Sequence, residues 1–139
     1  MDKKLVNQLK RHEGYRRAVY ECTEGYPTIG YGTNLLHRGI SKEEAEYLLN
    51  NDLVQIISEL SEMNLLRGHN TARQAVLVNM AYQLGLNGLL KFKRFITAYD
   101  NHNYEEAAKE MLDSLWAKQT PNRASELAEQ METGEFIYD

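Results

Sequence analysis

The segment "TARQAVLVNMAYQLG", residues 71–85, constrains the fold more than any other part of the chain. Ala75, Val76, Leu77, Val78, Met80, Ala81, Tyr82 and Leu84 leave almost no polar side to a helix wound from them. A helix that is apolar nearly all round has to be enclosed by other elements. The spacing predicts a buried central helix, with Asn79 and Gln83, four apart, on one shared face.

The chain supplies elements to enclose it. "SKEEAEYLLNNDLVQIISELSEMN" opens with Ser41 and Glu44 at capping-box spacing. Ala45, Leu48, Leu49, Leu53, Ile56, Ile57 and Leu60 then recur at threes and fours, which predicts one amphipathic helix over about 42–62. At 1.5 Å per residue it is about 30 Å long, enough to join two lobes of a small protein. Shorter helices are expected around 88–99, around 104–114 and from 121. "TPNRA" starts the last one, with Thr120 as N-cap and Pro121 at the first helical position. Arg123 then falls in the first turn, where a cation opposes the helix dipole and needs another reason to be present.

The amino-terminal part reads differently. "KKLVNQLKRHEG" places Leu5, Val6 and Leu9 at helical spacing and stops at Gly14, so a first helix ends near Glu13. "RRAVY" and "YPTIGYGT" are rich in β-branched and aromatic residues, broken by "TEG" and Pro27. They predict a small twisted antiparallel ribbon that has to pack on helices, because so small a sheet is marginal alone. The expected architecture is α+β. A β-containing lobe at about 14–38 is joined by the connecting helix at 42–62 to a helical lobe at about 67–139, which also takes residues 1–13. The cleft between two such lobes is the natural ligand site.

With 139 residues and 42% hydrophobic content, one domain can bury a core without disulfides or a structural metal. His12, His37, His69 and His102 show no metal-ligand spacing, and no metal or other cofactor is expected. The net charge of −4 argues against a nucleic-acid binder. The charge is uneven: residues 1–20 hold six Lys/Arg against two acids, and residues 100–139 hold three against ten. "KFKRF" reads as a partly buried helix with snorkelling lysines rather than a nucleic-acid surface.

Three residues of the ribbon region carry the chemistry. Glu13 sits at the expected carboxyl end of the first helix, where the negative dipole end favours the protonated acid that general-acid catalysis requires. Cys22, the single cysteine, follows nine residues later, and Thr28 six after that. Glycines at 25, 30 and 32 permit tight turns and close approach by a ligand. An acid on one side, with a water-activating group and a hydroxyl on the other, is the layout of glycosidic hydrolysis. Taken singly, Glu13 reads as an exposed helix end, Cys22 as a small buried hydrophobe, and Trp116 and Tyr82 as core.

This run, followed by "IGYGT", resembles the catalytic signature of phage-type lysozymes, the endolysins of glycoside hydrolase family 24. "RQAVLVNMAYQLG", "GLLKF", "SLWAKQTPNRA" and "TGEF" resemble later segments of the same family, in the same order. The resemblance covers almost the whole chain and implies a lysozyme-like α+β fold. It implies that Glu13 protonates the glycosidic oxygen, that Thr28 helps to place the attacking water, and that Cys22 stands where many members have aspartate. It puts Arg123 on the arginine that pairs with the catalytic glutamate, and Gln83, Tyr82, Trp116 and Gln119 on residues lining or supporting the cleft. Thr33 and Phe95 depart from the family pattern, replacing a histidine and a serine of the cleft.

The activity so implied is hydrolysis of the β-1,4 bond between N-acetylmuramic acid and N-acetylglucosamine of peptidoglycan glycan strands, during phage-induced host lysis. An inverting route is expected, with about 6.5–9.5 Å between the acid and the base to admit a water. A free thiol is mostly protonated at neutral pH, so Cys22 acts as a base only if its pKa falls; otherwise it positions the water. A lytic transglycosylase giving 1,6-anhydro ends, a non-catalytic peptidoglycan-binding module and a cysteine peptidase stay open as alternatives. "MDKKLVNQLKRHEG" has no apolar run of signal-peptide length, and no segment suits a membrane span. The expectation is a chain made in the host cytoplasm, without stable membrane insertion, reaching the wall through holin lesions and needing no more than a monomer.

Overall fold

A computed structural model of the chain describes residues 2–138. By Cα proximity the chain divides into two units, residues 1–48 and 49–139.

In the first unit, helix α1 spans Lys3–Glu13. The Asp2 carboxylate caps it by accepting the Lys4 N–H at 2.8 Å. The helix stops at Gly14, at φ 72 and ψ 148, whose N–H still bonds the Lys10 carbonyl at 2.9 Å. The chain leaves extended and enters a three-stranded antiparallel sheet of order β1-β2-β3, made of β1 (Arg16–Glu21), β2 (Pro27–Gly30) and β3 (Thr33–Asn34). Tyr20 pairs with Thr28, and Thr28 pairs with Asn34 on its other side. The β1–β2 register is irregular between Arg16 and Tyr20. Thr28 is the one buried side chain among the described residues of this unit, 3% exposed.

After β3, the Asn34 Oδ1 accepts the N–H groups of Leu36 and His37, both at 3.0 Å, in an Asx turn. The turn sets His37 edge-on against Tyr26, with ring centroids 4.6 Å apart. The expected capping box is formed: Glu44 N–H donates to Ser41 Oγ at 3.1 Å, and Ser41 N–H to Glu44 Oε1 at 2.8 Å. Arg38 also pairs with Glu44 at 3.0 Å. The guanidinium, with help from Ser41, brings the Glu44 carboxyl down to about 2. Helix α2, Lys42–Glu62, starts here and runs across the division at 48/49. Proximity groups α1 with the sheet, in the unit of residues 1–48.

The second unit is helical. Helix α3 spans Thr71–Leu84 and buries Ala72, Val76, Leu77, Met80 and Ala81. Leu60, Leu89, Phe95, Tyr99, Met111, Leu127 and Met131 share its core. The single helix expected at 88–99 is two, α4 (Leu86–Leu90) and α5 (Lys93–Asp100). Phe92 interrupts them at φ −78 and ψ 62, and its ring lies edge-on to Trp116 at 6.1 Å. A tertiary anchor there overrides the helical periodicity. Helix α6 (Tyr104–Leu112) stops two residues before the expected 114.

Ser114 then starts an unforeseen short helix, α7 (Leu115–Gln119), by accepting the Ala117 N–H at 3.1 Å. Helix α8 (Pro121–Thr133) begins at Pro121 as expected. Thr120, however, does not cap it with its side chain. The hydroxyl donates back to the Trp116 carbonyl at 2.9 Å, because α7 ends within its reach. No helix among the described residues is long and apolar enough to cross a membrane.

Candidate active site

Glu13 is the last residue of α1, and its side chain is exposed. The last turn also carries Lys10, Arg11 and His12, basic residues that answer the negative helix end. Among the described residues of the first unit, no donor bonds its carboxylate. It lies against the turn between β2 and β3. A Cβ added to Gly32 would lie 2.7 Å from Glu13 Oε2 and 3.2 Å from Cδ. Gly32 is at φ +78, a conformation that side-chain-bearing residues rarely take. The glycine thus does two things: it makes the turn, and it leaves bare the patch of backbone against which the carboxylate rests. The sequence predicts tight turns and close approach by a ligand at Gly25, Gly30 and Gly32. It does not predict that Glu13 is the approaching group.

Cys22 leaves β1 at the head of a hairpin. Its N–H donates to the Tyr26 carbonyl at 3.0 Å, and its carbonyl accepts the Gly25 N–H at 2.8 Å. Thr23, Glu24 and Gly25 make the loop, with Gly25 at φ 85, the three-residue hairpin that needs glycine in the left-handed region. Side chains alternate along a strand, so Tyr20 and Cys22 share a face, and Thr28 and Tyr26 oppose them on that same face. The three-residue loop returns Tyr26 beside Cys22, and Thr28, six residues on, stands diagonally across from the thiol. The thiol is partly exposed. The thiol pKa is lowered from the ordinary range, first by the backbone amide of Tyr26, then by that of Glu24 and more weakly by the Thr28 hydroxyl, against some desolvation and the Glu24 charge.

The Thr28 hydroxyl donates to the Tyr26 carbonyl at 2.9 Å. That bond commits its one proton, so its lone pairs are what it can offer to another group. A hydroxyl held this way accepts a hydrogen bond from a water, and turned toward the sulfur it would donate to the thiolate. The sheet therefore presents, side by side, a sulfur biased toward thiolate and an oxygen biased toward accepting.

The remaining candidates lie in the second unit. Asn79 and Gln83 do share a face of α3, and each receives a partner. Arg123 of α8 donates from Nε and Nη2 to the single Asn79 Oδ1, at 2.9 and 2.6 Å. Trp116 of α7, 4% exposed, donates its indole N–H to Gln83 Oε1 at 2.9 Å. The cation in the first turn of α8 is thus held by a carboxamide one helix away. The sequence places Asn79 on a face with Gln83 and gives it no partner. Tyr82, 45% exposed, borders a hollow of about 470 Å³ with Asp52, Gln55, Glu59 and Gly85. Gln119 is exposed at the end of α7. Phe95 is core, 1% exposed.

The family model described as phage lysozyme matches residues 10–132. The chain is 32% identical to the pre-baseplate central spike protein Gp5 of Enterobacteria phage T4, over 94% of the chain but only 28% of that protein's length. It is 30% identical to the probable T4-type lysozyme 1 of Dictyostelium discoideum, over 94% of each. A shorter match, 41% identical over 56 residues and 38% of each chain, is to the endolysin of Acyrthosiphon pisum secondary endosymbiont phage 1.

Proposed function

The chain belongs to the phage lysozyme family, and on that premise we propose that it is a muramidase. It hydrolyses the β-1,4 bond between N-acetylmuramic acid and N-acetylglucosamine in peptidoglycan and serves phage-induced host lysis. The observation that carries this reading is the set of Glu13, Cys22 and Thr28 on one helix end and one hairpin of the first unit, with Cys22 and Thr28 held by hairpin backbone.

The steps follow from the groups. Protonated Glu13 gives its proton to the glycosidic oxygen as the bond to the leaving sugar breaks. Positive charge develops on the sugar ring, and a water attacks the anomeric carbon from the opposite face. The Cys22 thiolate takes the water's proton, while Thr28 accepts the water's other hydrogen and aims its lone pair. The product is the inverted anomer, with Glu13 ionised and Cys22 protonated; proton exchange with solvent resets both. Asn79-held Arg123, Gln83-held Trp116, Tyr82 and Gln119 support the sugar chain. Release to the wall runs through holin lesions, and a monomer suffices.

Product analysis tests this. Digestion of purified peptidoglycan yields muropeptides with free reducing N-acetylmuramic acid ends, first seen by NMR as the α anomer. Products ending solely in 1,6-anhydro sugar would identify a transglycosylase and sink hydrolysis. Among Cys22→Asp, Cys22→Ser and Cys22→Ala, the aspartate variant keeps activity and the alanine variant loses it. Equal activity in all three would remove Cys22 from the chemistry.

A further inference from the structure

We propose that Gly32 is the positioning residue for the general acid: its bare backbone is the seat that fixes where the Glu13 carboxylate stands. The proposal rests on the reading of Glu13 as the proton donor and extends it to a residue that makes no chemistry of its own.

Three observations carry it. A Cβ on Gly32 would meet Oε2, Cδ and Cγ of Glu13 at 2.7, 3.2 and 3.6 Å, so the whole outer half of the side chain lies along this one glycine. Contacts under 3.0 Å are essentially never made by real Cβ atoms, so something has to shift. The atom that shifts is the end of an exposed, rotatable side chain rather than backbone. Added bulk at 32 therefore displaces the acid by at least a few tenths of an ångström and leaves the turn able to form. Finally, among the described residues of this unit no hydrogen bond fixes the carboxylate, so its position depends on packing against this surface.

Proton donation needs the acid within hydrogen-bond reach of the glycosidic oxygen, and a misplacement of about 1 Å costs about a hundredfold. A displacement of tenths of an ångström should cost about tenfold. The loss belongs in kcat, because the acid's contact with that oxygen strengthens only as the bond breaks.

The confounding effect is backbone strain, since Gly32 is at φ +78 and any side chain there is strained. Gly39 supplies the control: its φ is +65, and a Cβ there meets nothing within 4 Å. Asparagine tolerates the left-handed region better than alanine, so it separates strain from bulk. The experiment measures kcat and KM on soluble, un-cross-linked glycan strands for Gly32→Ala, Gly32→Asn, Gly39→Ala, Gly39→Asn and Glu13→Gln, with folding checked by circular dichroism.

The expected result is a loss of about tenfold or more in kcat for both Gly32 variants, with KM within about twofold. Both Gly39 variants keep parental kcat with a similar drop in melting temperature. Parental kcat in folded Gly32→Asn, or an equal loss in the Gly39 variants, would overturn the positioning role while an inactive Glu13→Gln leaves the acid assignment standing. An active Glu13→Gln would overturn both.

Discussion

Arg123 and Asn79 form a two-point contact in which one carboxamide oxygen accepts from both Nε and Nη2, at 2.9 and 2.6 Å. Both residues are half-buried. Removing the carboxamide leaves the guanidinium only the longer bond from Nη2 to the Asn79 carbonyl, at 3.3 Å, a loss of about 1–3 kcal/mol. Asn79→Ala should lower stability by about that amount in urea denaturation. Asn79→Asp should match or exceed the parent, since an ionised acceptor makes the stronger bond. Arg123→Lys should behave like the alanine variant, because an ammonium cannot present the same fork.

Trp116 and Gln83 join α7 to α3 through the 2.9 Å indole bond. Trp116→Phe and Gln83→Leu each break it, and the second leaves a buried N–H without an acceptor. A double-mutant cycle by thermal melting should give a coupling of about 0.5–1.5 kcal/mol. Strict additivity would show that the bond contributes nothing.

His69 is held in a stack. Its ring lies 3.7 Å from that of Tyr99 and 4.6 Å from that of His102, and its Nδ1 is 2.7 Å from the Tyr104 hydroxyl. Burial lowers its pKa first and His102 second, with Arg73 adding to this and Asp100 opposing. The folded state then binds fewer protons at this ring than the unfolded one. Its contribution to stability is complete above the unfolded value, about 6.5, and is lost as pH falls from there through the folded value. The urea midpoint of the parent should drop between pH 7 and pH 5 more than that of His69→Phe, which keeps a ring in the stack but cannot titrate. Equal drops would place the acid sensitivity elsewhere.

Cys22 titrates in the opposite setting, with its thiolate favoured by the Tyr26 and Glu24 amides. Its depressed value adds stability that is present above the unfolded thiol value, about 8.5, and is lost as pH falls through the folded value. The rate of alkylation by iodoacetamide should reach half its plateau at lower pH in the folded protein than in urea. Coincident midpoints would mean that the hairpin does nothing to the thiol, and a base role for Cys22 would then lack its physical support.

Local signals in the sequence were enough for the long helix and for the hairpin. The bounds of α2 follow from a capping box and an unbroken apolar period, both properties of neighbouring residues. The placing of Cys22 and Thr28 on one face follows from a loop length and a glycine. The break at Phe92 was hidden because "LLKFKRFITAY" is helical in pattern throughout, and only the ring's seat beside Trp116 interrupts it. The reversal of the Thr120 hydroxyl depends in the same way on where α7 stops. Glu13 and Gly32 lie nineteen residues apart, and nothing local says which side chain a bare glycine will receive. Asn79 was visible as a polar residue on an apolar helix, yet its partner stands forty-four positions away.

The central claim is that Glu13 supplies the proton that breaks the sugar bond. Glu13→Gln keeps size and hydrogen bonding but cannot ionise or donate an acidic proton. Release of soluble reducing ends from purified peptidoglycan should fall by about a hundred- to ten-thousandfold in this variant, with the melting temperature unchanged. Release at the parental rate by folded Glu13→Gln would contradict the account.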